Sequence, residues 1–363
     1  MENFKAVQKP IKEGPVFFSE AFKDHEQVVF CSDSETGLKA IIGIHDTTLG
    51  PALGGTRMWN YASEREAIRD VLRLSRGMTY KAAITGLNLG GGKAVIIGDS
   101  RKDKSDALMQ KFGEYVNSLS GRYITAEDVG INPHDMEMVH TKTKHVTGLP
   151  EAKGGSGDPS PVTAYGVFMG MKAAAKFKYG SDSLEGKKVV VQGIGHVGET
   201  LVKHLTEAGA LVTIHDLHED TMERVALTYN AQVYRGTNLY AEPMDIYAPC
   251  ALGATINDES LAVLNCDIIA GAANNQLANE AQHGEAVQRK GILYAPDFLI
   301  NAGGLINVYS EIVNYTRDES LRKTEEIYNT ALEIFKTSEI EGITTHQAAL
   351  KIAVQRIKTA KKQ

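Results

Sequence analysis

Lys93 stands directly after three glycines, Gly90 to Gly92, inside the apolar run LNLGGGKAVI at 87–96. A lysine is costly to bury unless it is paired or neutral. Adjacent glycines cost backbone entropy unless something must come close to the chain. A phosphate loop does not account for them. That motif needs Gly five positions before the Gly-Lys pair and Ser or Thr after it, where this chain has Leu87 and Ala94. Lys81 in GMTYKAA and Asp128 in TAEDVG also stand out. Alone, Lys81 reads as an exposed helix lysine and Asp128 as a strand-end turn residue. Together with Lys93 they make a working set. Desolvation and a neighbouring cation bring a lysine toward neutrality, where it serves as an acid–base catalyst. A second, charged lysine holds a carboxylate, and an acid beside the pair moves a proton. Hydride transfer from an amino acid to a nicotinamide needs these parts, with the glycines leaving room for a substrate against the backbone.

A second constellation lies a hundred residues on. GIGHVG (Gly193, Ile194, Gly195, His196, Val197, Gly198) follows the apolar strand KKVVVQ and opens the helical stretch HVGETLVKHLTEAG. In that context GxGxxG is a dinucleotide fingerprint. Gly193 makes the tight turn, Gly195 admits the pyrophosphate and Gly198 lets helix and strand pack closely. The helix N-terminus supplies free N–H groups and positive potential. Asp216 ends the next strand, ALVTIHD, where an acid accepts from the ribose hydroxyls. Leu217 and His218 follow it, with no Arg or Lys nearby for a 2′-phosphate. The expected cofactor is therefore NAD.

These groups need two supports. QVVFCSD, LKAIIGIHD, KAVIIG and RYITAED read as strands of a first domain. Ser63 and Glu66 open a helix with a capping box, and Ala67, Val71, Leu74 and Met78 line one face. Ser105 caps another helix. GLPEAKGGSGDPSP at 148–161 is the candidate domain junction. Ser160 and Pro161 suit the N-cap and first turn of a helix through about Lys178. Strand-helix alternation then runs through CDIIAG and GILYAPD, the pattern of a doubly wound parallel sheet. A long helical stretch begins near Gly303, and the tail ends in a basic amphipathic helix. The fold class is thus α/β, with a substrate domain at 1–147 and a Rossmann domain at 148–344.

Composition narrows the rest. The chain has 363 residues and a net charge of -6, which argues against a nucleic-acid partner. No apolar run is long enough to span a bilayer, and MENFKAVQKPIKEG lacks the apolar core of a secretory signal. Cys31, Cys250 and Cys266 have no CxxC spacing, so they suit a reducing cytoplasm and make no zinc site.

GPALGGTRM (50–58), MTYKAAITGLNLGGGKAV (78–95), TAEDVG (125–130), the GxGxxG, GAANNQL (271–277) and NAGGLINV (301–308) occur in this order. Together they resemble the glutamate/leucine/phenylalanine/valine dehydrogenase superfamily over essentially the whole chain, its leucine branch most of all. The resemblance implies that Lys81 binds the substrate α-carboxylate, that Lys93 is the catalytic lysine and that Asp128 is its partner in proton transfer. It implies that Gly54 lines the substrate site, and that Asn275, Asn301 and Thr163 lie toward the substrate and nicotinamide. It also implies an N-terminal substrate domain, rejoined by the C-terminal helix at about 345–363, with the active site in a cleft. Members of the leucine branch are typically homo-octamers. In the implied reaction hydride leaves Cα, Lys93 activates a water that adds to the imine, and Asp128 assists proton transfer to nitrogen. A 2-oxo acid and ammonia result.

Pocket residues set the expected substrate. Glutamate members carry a lysine where Leu53 stands, and a buried unpaired carboxylate there would be costly. Ala126 matches the leucine branch, whereas the phenylalanine branch tends to have Gly. Leu305 and Val308, with Met78, complete the apolar wall. Leu305 departs from the leucine branch, which usually has Val, and agrees with the phenylalanine branch. One methylene discriminates only about 10–200-fold, so leucine, valine and isoleucine are all expected substrates. The alternatives are phenylalanine oxidation and, from another class, a dinucleotide-binding sensor without catalysis.

Overall fold

The computed structural model describes Gly14 and residues 16–362. Residues 1–13 of the N-terminal stretch read above for a signal lie outside the described residues. The chain divides into two compact units, residues 1–79 with 88–148, and residues 80–87 with 149–363.

The first unit is built on strands β1 (Gln27–Asp33), β2 (Leu38–Asp46), β3 (Ala52–Trp59), β4 (Gly90–Ile97) and β5 (Tyr123–Glu127), and on helices α1 (Glu64–Ile84, up to Thr79), α2 (Asp106–Ser118) and α3 (Pro133–His140). The strand order is β1-β2-β4-β3-β5. β1 and β2, and β2 and β4, pair antiparallel, while β3 pairs parallel with both β4 and β5. Helix α1 begins as expected. Ser63 Oγ accepts from Glu66 N at 3.2 Å, although the Glu66 carboxylate accepts from Ala62 N (3.0 Å) rather than from Ser63. Its packed face also differs from the hydrophobic reading. Ala67, Ile68, Val71 and Leu72 pack with Ile41 and Val95, whereas Leu74 and Met78 are only half-buried. The face continues through the buried polar residues Ser75 and Thr79. Hydrophobic periodicity misses them because local hydrogen bonds, not apolar atoms, satisfy them.

Two histidines anchor that polar face. His25 Nε2 donates to the Leu72 carbonyl (2.9 Å). His45 Nε2 donates to the Lys23 carbonyl (3.0 Å), so its Nδ1 accepts from Thr79 Oγ1 at 2.8 Å. Burial pushes His45 down to about 4, and burial lowers His25 as well. The native state therefore binds protons less readily than the unfolded chain. Stability is full above the ordinary histidine value of about 6.5 and is lost as the pH falls toward 4. Urea unfolding should show a loss of about 2 kcal/mol between pH 7 and pH 5 from His45 alone. His45→Asn should flatten that slope, and an unchanged slope would contradict the assignment.

The second unit opens with α4 (Ser160–Tyr179). Pro159, not Ser160, is the N-cap, and the Asp158 carboxylate accepts from Ser160 N at 2.9 Å. The elements that follow are β6 (Lys188–Gln192), α5 (His196–Glu207), β7 (Leu211–His215), α6 (Glu219–Tyr229), β8 (Gln232–Val233), β9 (Ile246–Pro249), α7 (Asp258–Val263), β10 (Ile268–Ile269), α8 (Glu280–Arg289), β11 (Leu293–Tyr294) and α9 (Asp297–Ile300). The six strands are all parallel in the order β11-β10-β9-β6-β7-β8. This is the doubly wound Rossmann order, whose direction reverses between β6 and β9. Helices α10 (Gly303–Val313), α11 (Arg317–Glu341) and α12 (Thr345–Ala360) complete the unit. The break between α10 and α11 falls at Asn314, in the left-handed region (φ 56°).

The resemblance implies that the C-terminal helix rejoins the first domain. By its contacts α12 groups with the second unit, packing on α11, α8 and β11. Arg356 Nη1 donates to the Ala82 and Ala83 carbonyls (3.2 and 3.0 Å) in the last turn of α1, a turn that belongs to the same unit.

Candidate active site

Lys93 lies in the middle of β4, opposite Gly43 of β2, with 4 % of its surface exposed. Its ammonium donates to Asp128 Oδ2. Asp128 follows the end of β5 and keeps 19 % of its side chain exposed. The other oxygen, Oδ1, accepts from Val129 N (2.6 Å) and from Arg57 Nε (3.3 Å). β3 lies between β4 and β5, and its register explains how the pair meets. Thr56 pairs with Ala94 and Gly55 with Ala126, so the same register brings Gly55 opposite Lys93. With no side chain at Gly55, the lysine reaches across β3 to Asp128. A Cβ at Gly55 would meet the Glu127 carbonyl oxygen at 2.3 Å and Asp128 Cβ at 3.0 Å. By strand alternation, Leu53 and Ala126 share the Lys93 face, and both are buried.

The glycine triplet does something other than expected. A Cβ at Gly90 would fall 2.1 Å from the Asp46 carbonyl oxygen, one at Gly91 2.1 Å from Thr79 N, and one at Gly92 2.6 Å from the Tyr123 ring. At Gly54 a Cβ would fall 1.7 Å from the Gly92 carbonyl oxygen. These glycines make room for the protein itself, letting α1 and the neighbouring strands close on β4. They do not open space for a substrate.

Lys81, in the last turns of α1, is half-buried. Burial lowers it to about 8, with the negative charge of Asp297 opposing the fall. Asp297 is itself buried, and accepts from Gln276 N (3.2 Å) and Phe298 N (2.8 Å). Near neutral pH Lys81 is thus still a cation, poorly solvated and suited to a carboxylate. Leu305 is buried and Val308 half-buried on α10. Asn275 is exposed in a left-handed turn (φ 52°). Asn301 is 5 % exposed, and its Nδ2 donates to Asn274 Oδ1 (2.8 Å) and to the Ala272 carbonyl (3.1 Å). Thr163 Oγ1 donates to the Pro159 carbonyl at 2.9 Å, and a Cβ at Gly304 would lie 3.0 Å from it.

The Gly-rich turn fits a dinucleotide. Gly193 holds φ 96°, and a Cβ there would meet Ala251 at 2.6 Å. At Gly198 a Cβ would strike the Gly193 carbonyl oxygen at 2.0 Å. Gly195, the N-cap of α5, is exposed and has nothing within 4 Å of its Cβ position. The turn is therefore crowded behind and open in front, where a pyrophosphate approaches a helix N-terminus. His196 is exposed beside it, Ile194 is buried and Val197 half-buried. Asp216 Oδ2 accepts from Ile194 N (2.9 Å) and Oδ1 from His218 N (3.1 Å). Partial burial opposes ionisation of Asp216, but these backbone donors and Leu217 N outweigh it and hold the carboxyl below its ordinary value. The buried Asn301 Oδ1 has no hydrogen-bond partner among the described residues, so it can receive a donor such as a carboxamide.

Other chemistries lack support among the described residues. All three cysteines are unbridged thiols. Burial pushes Cys31 up to about 11 and Cys250 and Cys266 up to about 12, so none is a ready nucleophile. Among the described residues no cluster of three or more His, Cys, Asp or Glu could hold a metal ion, and no helix is long and apolar enough to cross a membrane.

Residues 25–145 match the family model for the Glu/Leu/Phe/Val dehydrogenase dimerisation domain, and residues 154–219 and 212–363 match the Glutamate/Leucine/Phenylalanine/Valine dehydrogenase model. The chain belongs to this dehydrogenase family. It is similar to leucine dehydrogenase of Thermoactinomyces intermedius, 54% identical over 93% of this chain and 92% of that protein. Phenylalanine dehydrogenase of Bacillus thermotolerans is 45% identical, over 95% of this chain and 91% of that one. The crystal structure of L-tryptophan dehydrogenase from Nostoc punctiforme superposes with a TM-score of 0.85 at 45% identity, covering 94% of this chain and 98% of that one. The Glu/Leu/Phe/Val dehydrogenase reading of the motifs is thus borne out, and so is the two-domain Rossmann α/β class. The chain is an oxidoreductase that acts on amino acids with a nicotinamide cofactor. Arg57 and Asp70 in the first unit, and Asn274 and Asp297 in the second, escaped the sequence reading. The one available signal was a charged Arg57 inside the buried strand GGTRM.

Proposed function

We propose that the chain catalyses NAD-dependent oxidative deamination of L-leucine, with valine and isoleucine as further substrates, to 2-oxo acids and ammonia, and the reverse reductive amination. The observation that carries this reading is the pairing of buried Lys93 with half-buried Asp128, on a sheet face shared with the apolar Leu53 and Ala126. Leu53 has no charge to hold a glutamate side chain, and Ala126 leaves room for a branched aliphatic one. The similarity to leucine dehydrogenase supports the same choice. Leu305 favours phenylalanine as the second reading, and the similarity to a phenylalanine dehydrogenase agrees with it. A sensor without catalysis would not need a buried lysine matched to a carboxylate.

In the proposed reaction Lys81 holds the α-carboxylate. The Gly193–Gly198 turn and Asp216 would hold NAD, which would supply the acceptor for the Cα hydride. Lys93, in its neutral form, then takes a proton from the water that adds at that carbon. Asp128 receives this proton from Lys93 and passes it to the nitrogen, and the C–N bond breaks to release ammonia and leave the 2-oxo acid. Thr163, Asn275 and Asn301 orient the reacting ends of cofactor and substrate. The reading extends to a homo-oligomer in the cytoplasm, an octamer as in the leucine branch.

Purified protein with leucine and NAD should form NADH, ammonia and 2-oxo acid in equal amounts. Absence of all three with every amino acid tried would contradict the proposal. NAD is preferred over NADP because Asp216 would face a 2′-phosphate, while Arg224 pairs with Glu199 at 2.6 and 2.7 Å. Asp216→Asn should raise the KM for NAD about tenfold, roughly the value of a charge-assisted hydrogen bond, and should narrow the NAD:NADP ratio of kcat/KM. An unchanged ratio would remove Asp216 from the ribose role.

A further inference from the structure

Asp128 is gripped at both carboxylate oxygens, and one grip comes from a residue with no assigned part in the reaction. Arg57 sits two residues beyond Gly55, on the same face of β3, and its Nε donates to Asp128 Oδ1 at 3.3 Å. The guanidinium is aimed from its other end. Nη1 donates to Asp70 Oδ2 at 3.1 Å, and Tyr61 Oη donates to that same oxygen at 2.8 Å. Charges therefore alternate along a line, Lys93, Asp128, Arg57, Asp70.

We propose that Arg57 is a positioning residue, which fixes the Asp128 carboxylate against Lys93 and is itself aimed by Asp70 and Tyr61. The inference rests on the proposed function, because Arg57 has something to position only if Lys93 and Asp128 move protons. Asp128 lies just beyond the last residue of β5, where Met58 N donates to the Val129 carbonyl (2.9 Å) and Ile131 N to the Asp128 carbonyl (3.0 Å), so its backbone is held but its carboxylate is not oriented by these bonds. Its backbone neighbour Val129 is exposed. A carboxylate in that place needs a second anchor to keep one oxygen on the lysine. Arginine suits the task and lysine does not, since a rigid planar fork bonds two carboxylates along fixed directions. A cation beside a carboxylate favours its ionised form, the form that accepts a proton.

The rival account is that Arg57 merely ties β3 to α1 through Asp70. The two differ in what Arg57→Gln changes. Arg57 keeps 25 % of its side chain exposed and borders a cavity of about 660 Å³ beside Trp59 and Arg73, so the shorter side chain leaves no sealed void. A positioning role predicts that Arg57→Gln lowers kcat about 10–100-fold with the KM for leucine within about threefold, and moves the acid limb of the kcat profile up by about one pH unit. Arg57→Lys should keep the acid limb near its wild-type place but recover only part of kcat. Asp70→Asn should lower kcat by less than Arg57→Gln. Wild-type kcat and acid limb in Arg57→Gln, whatever its melting temperature, would overturn the proposal. A readout without turnover separates this from failure of the functional reading. The Asp128 carboxyl carbon, followed by 13C NMR, should titrate at higher pH in Arg57→Gln than in the wild type. If the wild type oxidised no amino acid, the proposed function would fall, and an unshifted carboxyl titration would independently overturn control of Asp128 by Arg57.

Discussion

Lys93→Ala should lose about a thousandfold or more in kcat for amino-acid oxidation while binding NADH within about twofold of the wild type. The loss is large because Lys93, which pairs with Asp128, is the group proposed to take the proton. NADH binding survives because the Gly-rich turn and Asp216 belong to the other compact unit. The variant should also fold. After truncation Asp128 still accepts from Val129 N and Arg57 Nε, so its charge is not left unpaired. Single-turnover kinetics together with NADH fluorescence titration would measure both quantities. Turnover at the wild-type rate would remove Lys93 from the chemistry.

Gly91→Ala should fail as a fold, not as a catalyst. The added Cβ would lie 2.1 Å from both N and Oγ1 of Thr79 and 2.4 Å from the Ser75 carbonyl oxygen. These are backbone and hydrogen-bonded atoms of α1, and α1 is pinned by His25 and His45, so little can yield. Overpacking of this kind costs about 3 kcal/mol or more, which for a chain of this size lowers Tm by roughly 4 °C or more. Gly77→Ala provides the control within the same helix. Gly77 is exposed with nothing within 4 Å of its Cβ position, so alanine there should stabilise slightly. If Gly91→Ala kept its Tm and instead raised the KM for leucine, the triplet would be lining a substrate after all.

The two units differ in how much of them could be read from the chain. The strand, Gly-rich turn, helix and second strand around 188–216 are contiguous, so local signals carry the whole unit. Lys93 and Asp128 were legible as odd residues in their surroundings. How they meet was not, because it depends on β3 entering between β4 and β5 in parallel register. That distant pairing gives Gly55 and Arg57 their roles. The buried polar side of α1 was hidden for a related reason. Ser75 and Thr79 are satisfied by local carbonyls and by a histidine from β2, which an apolar count ignores. The glycines were legible as a demand for close approach, but not as to what approaches. The two-residue strands β10 and β11 lie within CDIIAG and GILYAPD, which the alternation made legible, whereas β8 (Gln232–Val233) is too short for periodicity to report.

The proposed substrate preference rests on four side chains, Leu53, Ala126, Leu305 and Val308. Its most direct measurement is kcat/KM for leucine, phenylalanine, tryptophan and glutamate, each with saturating NAD. The account predicts leucine ahead of phenylalanine by about tenfold or more, with tryptophan and glutamate lower still. Phenylalanine, tryptophan or glutamate overtaking leucine would contradict it.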